Sequence, residues 1–294
     1  MLEAVPNVSE GRSSPVIATI ERAFGRAARV LDVHADSDHH RSVFTLVADP
    51  AALADALLAG ISAAVALVDL RSHAGVHPRV GVVDVVPIVP LSDDDMGLAK
   101  TTARSISGRI GAELGLPVFH YGEIGDGRRP AFFRAGGLEG LQRRVEMDEL
   151  VPDAGPRRID PRSGAVLVGA RRPLIAYNVV IETDNVAIAR EIAGVVRESG
   201  GGMPGVQAIG LLLPSSGRVQ VSMNIVDIER APLHVVVERV RAEAATRGIA
   251  VTQGELVGLV PESVFRAALE AGVEVPGIDE SRVLERVLGS RGFM

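Results

Sequence analysis

Two histidines and an arginine lie within the seven-residue segment His73-Ala74-Gly75-Val76-His77-Pro78-Arg79. The glycine and the proline disfavour a regular helix there, and the apolar run that follows, residues 82–89, is typical of a strand. Because the reference pKa of histidine is about 6.5, a histidine at the mouth of a strand can accept and return a proton near neutral pH. The segment therefore predicts a general acid–base at His77 beside a carboxylate-binding cation, Arg79. The alternative is a histidine that caps a turn and an arginine in a surface ion pair.

Five of the seven histidines lie between positions 34 and 77, and three of them belong to the polar segment 34–41. Asp and His side chains in such a segment can ligate a divalent metal ion when about three of them converge. The spacing here matches no known metal signature and is equally typical of a solvated connection between strands. We therefore expect no metal, and a metal-dependent amidine hydrolase built on residues 34–77 stays open as an alternative. Arg41 begins the next strand, and the pattern leaves its direction undecided.

Two further segments are rich in hydrogen-bond donors. Residues 155–164 contain three arginines, two prolines and two glycines, a composition that suits either an anion-binding loop or a linker between domains. Residues 200–205 read Gly-Gly-Gly-Met-Pro-Gly, which can present backbone N–H groups to a ligand or simply end the preceding helix. The second segment lacks the P-loop lysine, and no dinucleotide-binding fingerprint is present in the required context.

The composition narrows the class of protein. The 294 residues are 47% hydrophobic and 23% charged, which is typical of one large globular domain or two ordinary ones. A net charge of −6 and an aromatic content of 3% argue against nucleic-acid binding. The chain has no cysteine and no basic-then-apolar start, so we expect a cytoplasmic protein without disulfides. The longest apolar run, residues 56–68, is too short to cross a bilayer and predicts a buried helix, so no membrane partner is expected.

The order of predicted elements is the same in two parts of the chain. The first part predicts strands at residues 2–7, 30–33, 42–48 and 82–89, with helices from Ser13 or Ser14 and at 50–68. The second predicts strands at residues 174–182, 206–213, 218–225 and 249–256, with helices at 184–198 (capped by Asp184) and 232–248. Both give β-α-β-β-α-β, the ferredoxin-like order. We predict an α+β fold of two ferredoxin-like subdomains, residues 1–170 and 171–294.

The remaining segments are assigned individually. Between the two parts we predict a helix at 93–114 with Ser92 as its cap, a strand at 117–121, a loop at 122–130 and a connector at 155–164. The C-terminal part predicts one good helix at 263–271 and a weaker one from residue 279.

Several motifs, in this order along the chain, resemble those of the formiminotransferase family. They are Val5-Pro6-Asn7-Val8-Ser9-Glu10-Gly11-Arg12, Asp38-His39-His40-Arg41-Ser42-Val43, His73-x-Gly-x-His77-Pro78-Arg79-x-Gly81, Gly164-Ala165 with Gly169-Ala170-Arg171, Gln220-Val221-Ser222-Met223-Asn224 and Val257-Gly258-Leu259-Val260-Pro261. The resemblance extends to about Ala271 and so covers nearly the whole chain. No single motif is specific, but their combination is.

The resemblance implies transfer of a formimidoyl group between N-formimino-L-glutamate and tetrahydrofolate, a step of histidine degradation and one-carbon metabolism. It also implies a homodimer, with the folate in a tunnel between the two sheets. The catalytic histidine of the family corresponds to His77. The folate-binding segments correspond to Gly155, Pro156, Arg157, Arg158, Ile159, Asp160, Pro161, Arg162, Ser163 and Gly164, and to Gly201, Gly202, Met203, Pro204, Gly205, Val206, Gln207, Ala208, Ile209 and Gly210. We expect the cyclodeaminase domain that is fused to some members to be supplied by a separate protein.

The donor is assigned on the same basis. Arg41 and Arg79 are predicted to bind its carboxylates, with His40 as a further substrate-binding residue and Asp36 or Asp84 facing the amidinium. The chain departs from the family pattern at Val76 and His40, where Glu and Asn are usual, and the second folate segment lacks a basic residue. A folate-binding paralogue without catalytic activity is therefore a second alternative.

Overall fold

Each half of the chain builds one β-sheet of its own and packs helices against it. In a computed structural model that describes residues 1–290, the chain divides into the units Met1–Arg172 and Pro173–Met294. Both units mix helices with strands, which confirms the predicted α+β class. Residues 291–294, the end of the predicted second domain, lie outside the described residues.

The first unit, as described, holds a seven-stranded sheet. Its strands are β1 (Leu2–Ala4), β2 (Asn7–Val8), β3 (Arg29–Asp36), β4 (Arg41–Ala48), β5 (Val83–Pro90), β6 (Val118–Gly122) and β7 (Val166–Ala170). The order across the sheet is β3, β4, then β1 and β2 in one position, then β5, β7 and β6. β1 and β2 replace the single strand predicted at 2–7, because Pro6 has no N–H group for the ladder. The pairs from β3 to β5 are antiparallel, and β7 is parallel to both of its neighbours.

Helices cover both faces of this sheet. They are α1 (Ser14–Phe24), α2 (Pro50–Leu67), α3 (Met96–Leu114), α4 (Pro130–Arg134) and α5 (Gly137–Glu146). The first three helices build the main core on one face, where the rings of Phe24 and Phe44 lie 5.1 Å apart. α4 and α5 cover β5, β6 and β7 on the other face, through Phe133, Leu141 and Val145. The second face matters for the site because α4 carries an arginine toward β5.

Helix α2 is the most apolar helix of the described chain. Its 18 residues make it long and apolar enough to cross a membrane by length and composition alone. Leu53, Leu57 and Ile61 are fully buried in the same core as Phe24 and Phe44. The predicted buried helix is therefore confirmed, with the packing expected of a core helix.

The polar segment 34–41, predicted as a loop, is half strand and half tight turn. β3 continues to Asp36, β4 begins at Arg41, and these two residues pair directly across the hairpin. The Oδ1 atom of Asp36 accepts the backbone N–H groups of Asp38 and His39, both at 2.8 Å. This side-chain bridge closes a tight turn, in which His40 adopts a left-handed backbone with φ of 47°. The turn presents two histidines at the end of the sheet.

Three elements of the first unit were absent from the sequence-based prediction: α4, α5 and β7. β7 is a five-residue apolar strand between two parallel neighbours, and periodicity does not distinguish such a short run from a linker. α4 has only five residues and is separated from α5 by Gly136 in a left-handed conformation, so neither helix gives a long periodic signal. The helix predicted at 93–114 begins as a 3₁₀ turn, Asp93–Asp95, before α3, and Ser92 makes no side-chain cap.

The second unit follows the predicted order closely. Its strands are β8 (Ile175–Ile181), β9 (Val206–Leu213), β10 (Arg218–Ile225) and β11 (Val251–Val257), and its helices are α6 (Val186–Val196), α7 (Leu233–Ala245), α8 (Glu262–Glu270) and α9 (Leu284–Gly289). The sheet order is β11, β8, β10, β9, with every pair antiparallel. The predicted cap is corrected by one residue: Asn185, not Asp184, accepts the N–H group of Ala187 at 3.0 Å.

Candidate functional site

The residues singled out for chemistry meet in the first unit, where the segment 73–82 enters β5 beside the β3–β4 turn. Arg79 joins the two segments. Its Nε atom donates to the carbonyl oxygen of His77 at 3.1 Å, and Nη2 donates to the carbonyls of His39 (2.9 Å) and His77 (2.5 Å). Nη1 donates to the carbonyl of His40 at 3.3 Å and to the ring of His73 at 2.6 Å. All five N–H donors of the guanidinium are thus used inside the protein, and the predicted carboxylate clamp at Arg79 has no free donor.

His40 and His73 form a pair of imidazole rings with a structural role. The rings of His40 and His73 stack with centroids 4.0 Å apart. Nδ1 of His40 accepts the backbone N–H of Gly11 at 3.1 Å, which fixes the neutral tautomer with the proton on Nε2. Burial and then Arg79 lower the pKa of His73 to about 4, so this ring is neutral at pH 7. His40, predicted as a substrate-binding residue, therefore holds the loop of Gly11 and supports His73.

His77 has the geometry of a general base. Its Nδ1 atom lies 2.8 Å from the carbonyl oxygen of Pro78, and because a carbonyl only accepts, Nδ1 carries the proton. The lone pair therefore resides on Nε2, and residue 77 as a whole is half-buried. Burial holds the pKa of His77 well below its ordinary value, and the charges of Arg41 and Arg134 lower it further while Asp84 opposes them. The imidazole is neutral, and so competent to accept a proton, at physiological pH.

His39 is a residue that the sequence-based site did not include. Its ring meets that of His77 edge to face, with centroids 5.9 Å apart. Nδ1 of His39 pairs with Oδ2 of Asp36 at 3.2 Å, and the buried Nε2 atom has no hydrogen-bond partner among residues 1–290. The first histidine of the Asp38-His39-His40 motif, His39, was visible in the sequence, but its burial was not.

Asp36 is predicted to stabilise the turn through its charge. Burial acts to raise its pKa, but hydrogen bonds from the ring and backbone of His39 outweigh it and lower the pKa to about 2. We expect Asp36→Asn to reduce the free energy of unfolding by about 2 kcal/mol at pH 7. Because the native pKa is depressed, this difference stays constant above about pH 4 and shrinks as the pH falls toward 2. Urea denaturation at pH 3, 5 and 7 measures it.

The control for that measurement is Asp184→Asn, which removes an exposed carboxylate of the second unit. It should change the free energy of unfolding little at any of the three pH values. A difference between wild type and Asp36→Asn that is the same at pH 3 and pH 7 would contradict a role for the carboxylate charge.

Three charged residues form a buried cluster next to His77: Asp84 on β5, Arg41 on β4 and Arg134 on α4. Oδ2 of Asp84 accepts from Nη1 of Arg41 at 2.9 Å and from Nη2 of Arg134 at 2.5 Å. Its Oδ1 atom accepts the N–H of Val80 at 2.8 Å. Burial alone would raise the pKa of Asp84, but the two guanidiniums hold it well below its usual range. Both oxygens of Asp84 already accept hydrogen bonds inside the protein, and a contact of Asp84 or Asp36 with an amidinium stays a prediction.

Arg134 also went unrecognised in the sequence. Its signal was indirect: a single acid, Asp84, within the otherwise apolar run 82–89 needs a cationic partner when the strand is buried. Arg41 was an available partner by its position at the start of a strand. Arg134 becomes a second cationic partner of Asp84 only because of the way α4 packs, and the sequence pattern does not predict that packing.

The N-terminal motif, residues 5–12, forms hydrogen bonds that hold the parts of the site together. Oδ1 of Asn7 accepts from Nε of Arg41 at 2.9 Å, and Oγ of Ser9 donates to the carbonyl of Gly81 at 2.8 Å. Oε1 of Glu10 accepts the backbone N–H groups of residues 12 and 13. Gly11 lies so close to the hairpin that an added Cβ would fall 2.1 Å from the carbonyl oxygen of Asp36. The motif therefore binds Arg41 and the hairpin to the start of β5.

The first predicted folate segment, residues 155–164, ends next to the His77 loop. The carbonyl of Ser163 accepts the N–H of Val82 at 2.8 Å, and Gly164 forms a bridge with Gly81. Within the segment Arg157 donates to Asp148, and Arg162 donates to the carbonyl of Ala66 at 3.1 Å. The segment thus runs from an exposed start at residue 155 to a buried end beside the site.

The second predicted segment, residues 201–210, lies in the second unit and has two parts. The N–H groups of Gly201, Gly202 and Met203 bond to carbonyls of the preceding helix and its 3₁₀ turn, at 2.9 to 3.1 Å. These glycines therefore end the preceding helix, which was one of the two interpretations of this segment in the sequence. The remaining residues, from Val206, lie in β9, which is one of the two edge strands of the described sheet.

The histidine-rich region forms no metal centre in the described structure. Among residues 1–290, no three His, Cys, Asp or Glu side chains converge as a metal ion would require. His40 instead stacks on His73, and His39 pairs with Asp36. The metal-dependent hydrolase alternative has no ligand set in this part of the chain.

Comparison with known proteins gives a family match over most of the chain. The model described as "Formiminotransferase domain, N-terminal subdomain" matches residues 1–171, and the model described as "Formiminotransferase domain" matches residues 176–274.

Three relatives illustrate the similarity. A glutamate formimidoyltransferase of Thermoplasma acidophilum is 38% identical, over 97% of this chain and 96% of its own length. A glutamate formimidoyltransferase of Streptococcus pyogenes serotype M1 is 36% identical, over 98% of each chain. A formimidoyltransferase-cyclodeaminase of Gallus gallus is 39% identical, over 92% of this chain and 52% of its own length.

Proposed function

Because the chain belongs to the formiminotransferase domain family, we propose that it transfers a formimidoyl group between N-formimino-L-glutamate and tetrahydrofolate. The full-length similarity to two glutamate formimidoyltransferases, at 38% and 36% identity, supports an enzyme of this class. The observation that carries the chemistry is the neutral ring of His77, held by Pro78 with its lone pair on Nε2. Tetrahydrofolate is the co-substrate, and no step of the proposed reaction requires a metal.

His77 supplies the proton transfer that the reaction needs. N5 of tetrahydrofolate attacks the amidine carbon of the donor, and as the new N–C bond forms, Nε2 of His77 accepts the N5 proton. The tetrahedral intermediate then expels the glutamate amine, which takes the same proton back as its C–N bond breaks. The products are 5-formimidoyltetrahydrofolate and glutamate, and His77 returns to its neutral form. Holding both substrates together contributes several kcal/mol of barrier lowering through proximity.

Arg79 and Arg41 act mainly by holding this site. Arg79 fixes the loop of His77 through its five donors, and Arg41 ties Asn7 to Asp84. The predicted contact of Arg41 with the donor stays a proposal, supported by its place in the charged cluster beside His77. His40 supports the site through His73.

The finer architecture is part of the same proposal. In each unit the first β-α-β-β-α-β elements place their strands in the order 4-1-3-2, which supports two ferredoxin-like subdomains, residues 1–170 and 171–294. Residues 155–164 and 201–210 are proposed to bind the folate, and for the first segment the position of its end beside Gly81 supports this. A cytoplasmic homodimer completes the proposal.

Activity of the purified protein tests the function directly. We expect incubation with tetrahydrofolate and N-formimino-L-glutamate, followed by acid, to give methenyltetrahydrofolate, which is measured by absorbance. Release of ammonia or formamide from the donor without tetrahydrofolate would favour the metal-dependent hydrolase and contradict the transferase. Tight folate binding with no turnover on any formimino donor would favour the inactive paralogue.

A further inference from the structure

Arg134 has a buried N–H group that nothing in the described structure satisfies. Its Nη2 atom bonds to Oδ2 of Asp84, but Nε is buried and has no hydrogen-bond partner among residues 1–290. The side chain is 15% exposed. A buried donor left unpaired costs stability, so such a group in a native protein calls for a ligand or another function.

The position of Arg134 is held by its helix. Phe133, which is 1% exposed, packs on Phe119 with ring centroids 5.5 Å apart. Arg144 donates to the carbonyls of Phe132 and Phe133 at 2.9 and 2.8 Å, which ties the end of α4 to α5. The guanidinium of Arg134 is therefore presented by a packed helix and not by a free loop.

The charge around Arg134 is unbalanced. Asp84 is shared by two guanidiniums, those of Arg41 and Arg134, so the cluster of these three residues has a net charge of +1. The positive field reaches His77, whose pKa it lowers after the larger effect of burial. Buried charge is normally paired, and an anion beside Arg134 would both balance the cluster and satisfy Nε.

We propose that Arg134 binds a carboxylate of the formimino donor through Nε and its unshared Nη1 group. This inference rests on the transfer reaction proposed above. The donor is favoured over the folate as the source of the carboxylate, because its carboxylates are a few bonds from the amidine carbon that reacts beside His77. The carboxylates of a folate lie at the glutamate end of the molecule, remote from N5. Arg79 is not an alternative, since its five donors are occupied.

The proposal makes Arg134 a determinant of donor specificity. A bidentate guanidinium–carboxylate contact discriminates strongly against a neutral group, because the amide analogue leaves a buried charge unpaired. Acidic formimino compounds should therefore be preferred to neutral ones of the same shape. Carboxylate binding also reduces the positive field on His77, so the donor itself makes the base stronger.

Steady-state kinetics of Arg134→Met and Arg134→Lys test the proposal. The donors are N-formimino-L-glutamate, N-formimino-L-glutamine, which lacks the side-chain carboxylate, and N-formimino-4-aminobutyrate, which lacks the α-carboxylate. We expect Arg134→Met to raise KM for N-formimino-L-glutamate roughly 10- to 100-fold, the range for a charged hydrogen bond, and to leave Kd for tetrahydrofolate within about twofold. For the truncated donor that lacks the contacted carboxylate, the effect of the substitution should disappear. Arg134→Lys should restore part of the affinity.

A matched control is Arg128→Gln, which removes an exposed arginine that lies over the ring of Phe132 in the same segment. It should leave KM for every donor unchanged. Thermal unfolding followed by circular dichroism checks that Arg134→Met is folded, as expected because Asp84 keeps Arg41 and the N–H of Val80.

Two results would overturn the proposal. One is an equal effect of Arg134→Met on all three donors, and the other is loss of tetrahydrofolate affinity with an unchanged donor KM. If wild type shows no transfer at all, calorimetry with glutarate still separates the two claims. If wild type binds glutarate and Arg134→Met does not, the carboxylate site is supported although the proposed function fails. If wild type does not bind glutarate either, the carboxylate site and the proposed function are both overturned.

Discussion

Replacement of His77 by alanine is expected to lower turnover by roughly 10²- to 10⁴-fold, the usual effect of removing a positioned acid–base group. The loss should be in kcat, because the ring accepts a proton only as N5 of the folate attacks. Nδ1 is committed to Pro78, so no other atom of residue 77 can supply the lone pair of Nε2. Single-turnover rates with saturating substrates measure the effect on the chemical step.

The control for this variant is His234→Ala, which removes a partly exposed histidine of α7 in the second unit. Its turnover should equal that of wild type. The pH profile gives a second check: because the pKa of free His77 is depressed, the acid limb of kcat/KM in wild type should lie below pH 6.5. A His77→Ala variant that turns over at the wild-type rate once saturated, and that loses only folate affinity, would contradict the assignment.

Replacement of Asp84 by asparagine is expected to cost about 3–5 kcal/mol of unfolding free energy. The carboxylate is fully buried and forms ion pairs with two guanidiniums, so its loss leaves Arg41 and Arg134 buried without an anionic partner. The native pKa of Asp84 is depressed, so its contribution is complete above the unfolded pKa near 4 and decreases at lower pH. The difference from wild type should therefore be constant from pH 5 to pH 8.

Urea denaturation of the two proteins at pH 4, 6 and 8 measures this difference. The matched control is Asp55→Asn, which breaks an ion pair with Arg109 in which the aspartate side chain is 62% exposed. Solvent screens such a pair, so its loss should change the midpoint little. Equal midpoints for Asp84→Asn and Asp55→Asn would show that the buried cluster is not a net source of stability.

His77 and Asp84 have different roles in the same site. His77 accepts and returns the proton, while Asp84 holds the guanidiniums whose positive charge helps to keep the imidazole neutral. The same strand, β5, carries Asp84 and begins just after the His77 loop. A strand that is buried on both faces is a rigid support, which suits a site that needs precise placement of donor and base.

The sequence predicted the order of most elements because local periodicity was strong. α2, β9 and β10 agree with their predicted bounds to within a residue, since long apolar stripes and a Pro-Ser-Ser-Gly turn mark them. It failed at β7, α4 and α5, where the elements are short and owe their form to the neighbours that they pack against. The hairpin at Asp36 was also missed. The Asp36 side chain accepts a hydrogen bond from its own turn, and a polar segment of this kind has the same composition as a loop.

The sequence by itself determined which residue types are present at the site: the histidines, Arg41 and the family motifs are local strings that need no partner to be recognised. Only the tertiary structure decided which of them is available for chemistry. Arg79 looked free and has five bonded donors, whereas Arg134, 55 residues farther along the chain, has an unpaired one. The reason is physical: hydrogen-bond satisfaction and burial depend on contacts between distant segments, and those contacts exist only after the chain has folded.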